Sequence, residues 1–166
     1  MVILKWILIV VVVVVVVVVG VIGAGQLGFF SGSAPADLGV RSAKLKAPSV
    51  TDNSVTSQAA LYPDHPQRQA SQIVPIALRG DGPATIARIK TIAQAMTGAK
   101  VVKSDADYLY AQFTTPVMKF VDDAEFWYDP AAQVIQVRSA SRIGDGDMAV
   151  NRKRVEAVRA ALVASP

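Results

Sequence analysis

The chain has 166 residues, 52% of them hydrophobic, and carries 17 Lys and Arg against 13 Asp and Glu. It has no cysteine, which excludes disulfides, thiolate nucleophiles and cysteine-based zinc or iron–sulfur sites. The single histidine, His65, excludes a metal site built from several histidines of one chain. We therefore expect one ordinary domain with an appendage, and neither a cofactor nor a metal site.

An apolar block opens the chain. Within residues 1–30 the only charged side chain is Lys5, and Val10–Val19 is an unbroken run of valines. A helix needs about 20 apolar residues to cross the hydrocarbon layer of a bilayer, and Trp6–Gly23 approximately meets this length. Because unsatisfied backbone groups cost several kcal/mol in lipid, helix is favoured there despite the valines. Residues 1–30 are predicted to form a transmembrane anchor.

A cleaved signal peptide is the alternative for this block. Ala34-Pro35-Ala36 matches an A-x-A cleavage pattern, but the apolar run exceeds the roughly 7–15 residues of a signal sequence. Basic residues lie on both sides of the block, so the positive-inside count does not favour an outward-facing domain. A very short tail before an apolar segment is nevertheless typical of a signal anchor, and we expect the domain on the outer side.

Two further regions follow the anchor. Residues 31–60 are rich in Ser, Ala, Gly and Pro and show no periodicity, which is typical of a flexible connecting segment. Residues 61–166 carry the organised patterning of a soluble domain. The predicted elements are a strand near Ile73, a helix over 82–98, strands over 100–103, 108–114, 124–128 and 133–141, and a last helix over 148–163.

This order of elements predicts an α+β domain. Sequential strands with short connections favour an antiparallel meander, and both helices are expected to pack on one face of it. In the last helix the inward stripe would be Met148, Asn151, Val155, Val158 and Leu162. The run 152–154 is interpreted as a solvated basic face of that helix.

The hairpin between the last two strands has a predicted register. With a turn over 129–132, Tyr128 lies opposite Gln133, and Asp123 lies opposite Arg138. A slip of one residue would move charges into the core, which favours this arrangement. We expect an exposed Asp123–Arg138 pair worth only ~0–1 kcal/mol.

Polar residues concentrate around this hairpin and at the start of the last helix. Ser139 and Ser141 fall on the apolar side of their strand, and Asn151 lies on the inward stripe of the helix. They form an internal hydrogen-bonding network or, with Arg142, a polar pocket for an anionic or carbonyl group. The candidate binding residues are Asp122, Asp123, Arg138, Ser139, Ser141, Arg142, Asp147 and Asn151.

Catalytic and nucleic-acid functions have little support. The carboxylates around the hairpin lack a recognised metal-coordination spacing. A serine triad would need His65, which lies in an irregular stretch. The short basic run, next to an acidic stretch and an anchor, does not predict a nucleic-acid partner.

The C-terminal part of the chain resembles a known family. The run FVDDAEFWYDPAAQVIQVRSASRIGDGDMAVNRKRVEAVRAAL is similar to the signature of the domain of unknown function 1499 family. ADLGV, KLKAPS, NSVTSQA and YLYAQF resemble earlier parts of it. The family commonly has a P-N-C-V-S-S element where this chain has Asp52-Asn53-Ser54-Val55-Thr56-Ser57, so any role of that thiol does not operate here.

The resemblance implies a small, often membrane-anchored bacterial protein with no established activity and no catalytic residues to carry over. The anchor would then be a single pass in the inner membrane, with the domain in the periplasm at the cell envelope. Because the family pattern begins near Ala36, we expect residues 36–60 to fold against the domain. We consider an envelope domain that binds a ligand or protein, a hydrolase using the same residues, and a purely structural domain.

Overall fold

The computed structural model describes residues 2–164. This part of the chain has an α+β arrangement, in which four consecutive strands lie between two helices. The elements are α1 Val2–Gln26, β1 Ser54–Thr56, β2 Ile76–Ala77, α2 Gly82–Ala95, β3 Ala99–Ser104, β4 Tyr108–Thr114, β5 Val121–Asp129, β6 Val134–Ser141 and α3 Val150–Ala164.

The strands form one antiparallel sheet. β3, β4, β5 and β6 pair in sequence order as the predicted meander. β1 and the short β2 both pair with the outer side of β6. α2 and α3 pack against each other and lie on the same face of the sheet. The predicted α+β class, with two helices on one face, is confirmed.

α1 extends away from the sheet. Every residue from 2 to 22 is exposed, and contact with the domain begins only at the last turn. The helix has 25 residues, about 37 Å at 1.5 Å per residue. By length and composition it is apolar enough to be a membrane span or a signal sequence.

α2 follows from local signals in the sequence. Asp81 precedes it and accepts a hydrogen bond from the Ala84 amide at 2.7 Å, which satisfies one of the unpaired N–H groups of the first turn. Gly98 ends the connection to β3 with a φ of +74°. A side chain there would collide with the Thr114 carbonyl oxygen, so the close approach of this turn to β4 requires glycine.

The alternation along the strands divides the sheet into two buried faces. On the helix-covered face, side chains such as Leu109, Phe126 and Val137 pack with those of α2 and α3. On the opposite face, Tyr108, Tyr110 and Trp127 pack with Leu45. Both faces are therefore covered, one by helices and the other by irregular chain.

That irregular cover comes from the segment before the domain. Leu45 is 1% exposed and Gln58 is also buried, and the Leu45 amide donates to Gln58 Oε1 at 2.8 Å. Residues 54–56, for which no strand is predicted, form β1. Residues 36–60 thus pack on the domain, as the family pattern leads us to expect. The division of the chain at residues 30 and 60 stays a prediction.

The predicted register of the β5–β6 hairpin is wrong by two residues. Glu125, not Asp123, lies opposite Arg138. Asp129 is still in the strand, and its side chain caps the turn by accepting from the Ala131 and Ala132 amides. Gln133 closes the turn at a φ of +54°. Because the slip is even, each side chain keeps its predicted face.

Two expectations for the last helix are also wrong. α3 begins at Val150, so Met148 lies before it and is 88% exposed. Arg154, interpreted as part of a solvated face, is buried. Its guanidinium lies 4.6 Å from the ring centroid of Phe113 and bonds to groups in the sheet, which accounts for its burial.

Candidate functional site

The structure separates the predicted site residues between the two faces of the sheet. Asp123, Arg138 and Arg142 lie on the face covered by residues 36–62. The others lie on the helix-covered face or at the start of α3: Asp122, Ser139, Ser141, Asp147 and Asn151. Ser141, at the end of β6, lines a pocket together with Arg142, but Ser139 and Asn151 do not line it.

We call the second group, together with Arg154, the helix-face network. Arg154 Nη2 donates to Asp122 Oδ2 at 2.5 Å, and Arg154 Nη1 donates to Asn151 Oδ1 at 2.7 Å. Ser139 Oγ donates to Asn151 Oδ1 at 2.6 Å. These bonds hold α3 onto β5 and β6.

The helix-face network extends to β1 and to the start of α3. Asn151 Nδ2 donates to the Asn53 carbonyl oxygen at 3.1 Å and to Asp147 Oδ2 at 2.8 Å. Asp147 also accepts from the Asn151 and Ala149 amides. Since the buried groups of Asn151, Ser139 and Arg154 satisfy one another, the arrangement has the properties of a structural network.

The opposite face carries what we call the segment-face network: Tyr108, Tyr110, Asp123, Glu125, Arg138 and Arg142. Arg142 binds Asp123 through two bonds, Nη2 to Oδ1 at 2.8 Å and Nε to Oδ2 at 2.9 Å. Tyr110 donates to the same carboxylate at 2.5 Å. The bond to Asp123 raises the pKa of Arg142, while burial, followed by the bond to Asp123, raises the pKa of Tyr110.

The second acid–base pair of this face is looser. Glu125 Oε1 accepts from the Gly39 amide and from the Tyr108 hydroxyl, each at 2.7 Å. Its Oε2 lies 3.9 Å from Arg138 Nη1, although both side chains are almost completely buried. Burial raises the pKa of Glu125 and lowers that of Arg138, because it disfavours the charged form of each.

Those two facing atoms have no hydrogen-bond partner among the described residues. Arg138 donates through Nε to the Ala47 carbonyl oxygen at 3.1 Å, which leaves Nη1 unsatisfied. An unpaired buried donor costs about 1–3 kcal/mol, and more when it is charged. The segment-face network is thus incomplete where the helix-face network is closed.

A small cavity adjoins Arg138. Its volume is about 170 Å³, and it lies between the segment after α1, the segment 46–49 and the end of β6. Three of its lining side chains are cationic and one is acidic. The lining residues are Ser33, Pro35, Lys46, Pro48, Ser49, Asp123, Arg138, Ala140, Ser141 and Arg142. We call it the Arg138 pocket.

The side chains that a serine-based catalytic site would need make other hydrogen bonds. Ser141 accepts from Asn151, and Ser139 is engaged with Asn151 and Arg154. His65 accepts from the Gln67 amide in the loop before β2, and neither serine hydrogen-bonds to it in the described chain. No group of three or more His, Asp or Glu side chains within residues 2–164 is placed to hold a metal ion.

Sequence reasoning missed several residues of the two networks. The sequence shows that Arg154 and Glu125 are charged but not which residues they pair with. Those partners depend on how β5, β6 and α3 pack. Tyr108 and Tyr110 alternate with the core residues of β4, and this position opposite the acidic strand was the available signal. Lys46 lies in a segment without periodicity, so nothing local indicated its place at the pocket.

Comparison with models of known protein families shows which family the chain belongs to. The model of a protein family of unknown function, DUF1499, matches residues 44–162. The chain belongs to the DUF1499 family. The match covers β1 to α3 and therefore both networks, whereas α1 lies outside it. No curated protein and no solved structure matches the chain.

Proposed function

We propose that this DUF1499 protein is a membrane-anchored binding domain, and that its ligand carries a small anionic group, a carboxylate or a phosphate, that enters the Arg138 pocket. The observation that carries the proposal is Arg138 itself. It is a cation, 3% exposed, with an unpartnered Nη1 and one carboxylate at 3.9 Å.

Charge in the pocket supports an anionic ligand. Of the lining cations, Arg142 is neutralised by Asp123 at close range and Lys46 by Asp37 outside the lining. Within residues 2–164, the carboxylate that comes within 4 Å of the Arg138 guanidinium is that of Glu125, at 3.9 Å. A carboxylate or phosphate oxygen near Arg138 would form a charge-assisted hydrogen bond and would offset the desolvation of the guanidinium.

The hydrolase alternative receives no comparable support. Ser139 and Ser141 are occupied by hydrogen bonds to Asn151, and Asp123 is held by Arg142 and Tyr110. A nucleophile needs a base within hydrogen-bond reach, and none is arranged beside these serines in the described residues.

We further propose that α1 remains in a bilayer as a single pass, in the bacterial inner membrane, with the domain in the periplasm. The apolar length of α1 supports the anchor. Paired C-terminal reporters test the orientation: alkaline phosphatase is expected to be active and a cytoplasm-dependent fluorescent protein dark. The reverse pattern would contradict the periplasmic placement.

Anion binding is tested on the full chain in phosphatidylcholine nanodiscs. Inorganic phosphate and acetate are titrated at constant ionic strength set with sodium chloride, and the thermal unfolding midpoint of the domain is followed. An anion that binds the folded state stabilises it by RT ln(1 + [L]/Kd), about 2.7 kcal/mol at one hundred times Kd. We expect the midpoint to rise with one or both anions.

Matched variants test whether the rise in the unfolding midpoint depends on the Arg138 pocket. Arg138→Met should abolish the rise, whereas Arg159→Gln, which removes a cation on α3 paired with Glu156, should leave it intact. If Arg138→Met does not fold, Lys46→Gln serves instead, because Lys46 is a partly exposed pocket residue and its loss should weaken binding. An equal response of wild type and pocket variants, or no response of wild type, would overturn the proposal.

A further inference from the structure

The last turn of α1 contacts one end of the domain. Gln26 Nε2 donates to the carbonyl oxygens of Val117 at 2.6 Å and Pro116 at 3.3 Å. Gly25 is buried against Met118, where a Cβ would lie 2.8 Å from the carbonyl oxygen. The β4–β5 loop, residues 115–120, therefore lies where α1 leaves its apolar stretch.

Exposed apolar side chains surround this contact. Val117 is 51% exposed, and Phe120 and Ile143 are each 36% exposed. Phe120 also stacks near Phe30 just after α1, with ring centroids 5.5 Å apart. Large exposed apolar groups that cluster at one place mark an interaction surface, and here they continue the apolar surface of α1.

A groove opens at the same end of the domain, between the last turn of α2, the end of β4 and the first turns of α3. Its volume is about 540 Å³, within the ~300–1,000 Å³ range of ligand sites. Most of the wall is apolar or formed by alkyl groups. The lining residues are Ala95, Met96, Thr97, Phe113, Thr114, Thr115, Pro116, Val150, Lys153, Arg154 and Ala157.

The two cationic side chains that line the groove, Arg154 and Lys153, differ in their ion-pair partners. Arg154 is engaged by Asp122. Lys153 is exposed, its ammonium group donates to the Met148 carbonyl oxygen at 3.3 Å, and no carboxylate of residues 2–164 forms an ion pair with it. A largely apolar groove with one available cation at its rim is complementary to a phospholipid, whose acyl chain is apolar and whose headgroup phosphate is anionic.

We infer that the end of the domain formed by the β4–β5 loop and the start of α3 rests on the bilayer, and that the groove holds a phospholipid acyl chain. Three features support this placement: α1 contacts the rim residue Pro116, the partly exposed Val117 and Phe120 lie in the same loop, and Lys153 is available for a phosphate. The inference rests on the membrane anchoring proposed above and is independent of anion binding at the Arg138 pocket.

The absence of cysteine permits a direct test on the full chain. Single substitutions Val21→Cys, Val117→Cys, Thr97→Cys and Gln133→Cys are each labelled with bimane and reconstituted in nanodiscs of phosphatidylcholine and phosphatidylglycerol carrying doxyl groups on their acyl chains. Val21 reports the anchor, Val117 the loop, Thr97 the groove, and Gln133 the far end of the sheet. We expect loss of fluorescence at the first three positions and none at Gln133.

A second substitution distinguishes the groove from its surroundings. Ala157→Phe, which fills the groove, should restore the fluorescence of the Thr97 label and leave the Val117 label quenched. Ala160→Phe, at a position of α3 that does not line the groove, should change neither. This comparison separates an occupied groove from a label that merely lies near lipid.

The other outcomes contradict the inference in different ways. Quenching at Val21 but not at Val117 and Thr97 would keep the anchor and overturn the docking. Absence of quenching at Val21 would overturn the anchor and the docking together. If the Thr97 label is quenched by a second labelled copy of the chain and not by lipid, the groove is a dimer contact and the inference is wrong.

Discussion

The two faces of the sheet are buried by different means. The helix-covered face is closed by α2 and α3 over aliphatic and aromatic side chains, and its polar end is a hydrogen-bonded network in which Arg154 and Asn151 satisfy their neighbours. The other face is closed by residues 36–62, which contribute Leu45 and several backbone groups. Regular structure provides the dense core, and irregular chain provides a polar cover.

The difference distinguishes a structural polar cluster from a candidate binding site. Both networks contain buried acid–base pairs, so burial and charge alone do not separate them. The networks differ in whether their buried polar atoms are hydrogen-bonded. The Asp122–Arg154 pair is in direct contact at 2.5 Å. Glu125 and Arg138 lie 3.9 Å apart, and the two facing atoms have no hydrogen-bond partner among the described residues. The incomplete pair lies on the face that also has the small cationic cavity.

The largest change in stability is expected when Arg154 is removed from the helix-face network. Arg154→Met leaves Asp122 buried without its cation, and we expect a loss of ~3–5 kcal/mol in the free energy of unfolding, since breaking a buried ion pair on one side has that cost. Urea denaturation of the full chain in nanodiscs measures it. Adding Asp122→Asn should recover part of the loss, and a cost below about 1 kcal/mol would refute the structural role.

The next test asks whether the packing of residues 36–62 on the sheet contributes to the stability of the domain. Leu45→Ala should lower the free energy of unfolding by ~2–4 kcal/mol, as for other buried leucines. Leu61→Ala, in the same region but 45% exposed, is the matched control and should cost much less. Equal effects of the two substitutions would mean that the segment only lies loosely on the sheet.

A smaller effect should appear as a change in pH dependence. The folded-state pKa of Glu125 is raised above its ordinary value of 4.5 by burial. Its stabilising contribution is therefore full below pH 4.5 and is lost as the pH rises through the folded pKa. Glu125→Gln keeps an acceptor for Gly39 and Tyr108 without the titration. The stability of wild type relative to Glu125→Gln should decrease from pH 4 towards neutral, and an increase would contradict the assigned direction.

The smallest effect is expected on the surface. Glu156→Ala removes the half-exposed partner of Arg159, and exposed pairs contribute only ~0–1 kcal/mol. Arg159 also donates to the Val74 and Pro75 carbonyl oxygens, so it stays in place. A thermal melt should show little change, and a loss comparable with that of Arg154→Met would remove the distinction between buried and surface pairs.

Periodicity alone predicted much of this fold. The alternation in β4 and the apolar stripe of α2 depend only on local sequence, and both elements appear where expected. β1 was missed because a strand of three residues between Asn53 and Ser57 is too short to show a period of two, and because its pairing with β6 is fixed by contacts distant in sequence. The hairpin register failed because the Asp129 side chain moves the turn by one position along each strand.

The candidate site was predicted less well than the fold. The sequence indicated that the β5–β6 hairpin and the start of α3 are polar. It also predicted correctly that Ser139 and Asn151 lie on the helix-covered face of the sheet. It did not separate Asp122 from Asp123, although adjacent strand residues point to opposite faces. Nor could it show that Arg138 has no carboxylate within hydrogen-bond distance among the described residues, because that depends on how residues 36–62 fold over the sheet.

The joint between α1 and the β4–β5 loop has a consequence for how ligands arrive. Gln26 donates to two carbonyl oxygens of that loop and Gly25 contacts Met118, and these contacts link the orientation of the domain to that of α1. With α1 in a bilayer, as proposed above, a ligand that diffuses laterally in the membrane would meet the protein by a search in two dimensions. Such a ligand would have an advantage over one that approaches from bulk solution.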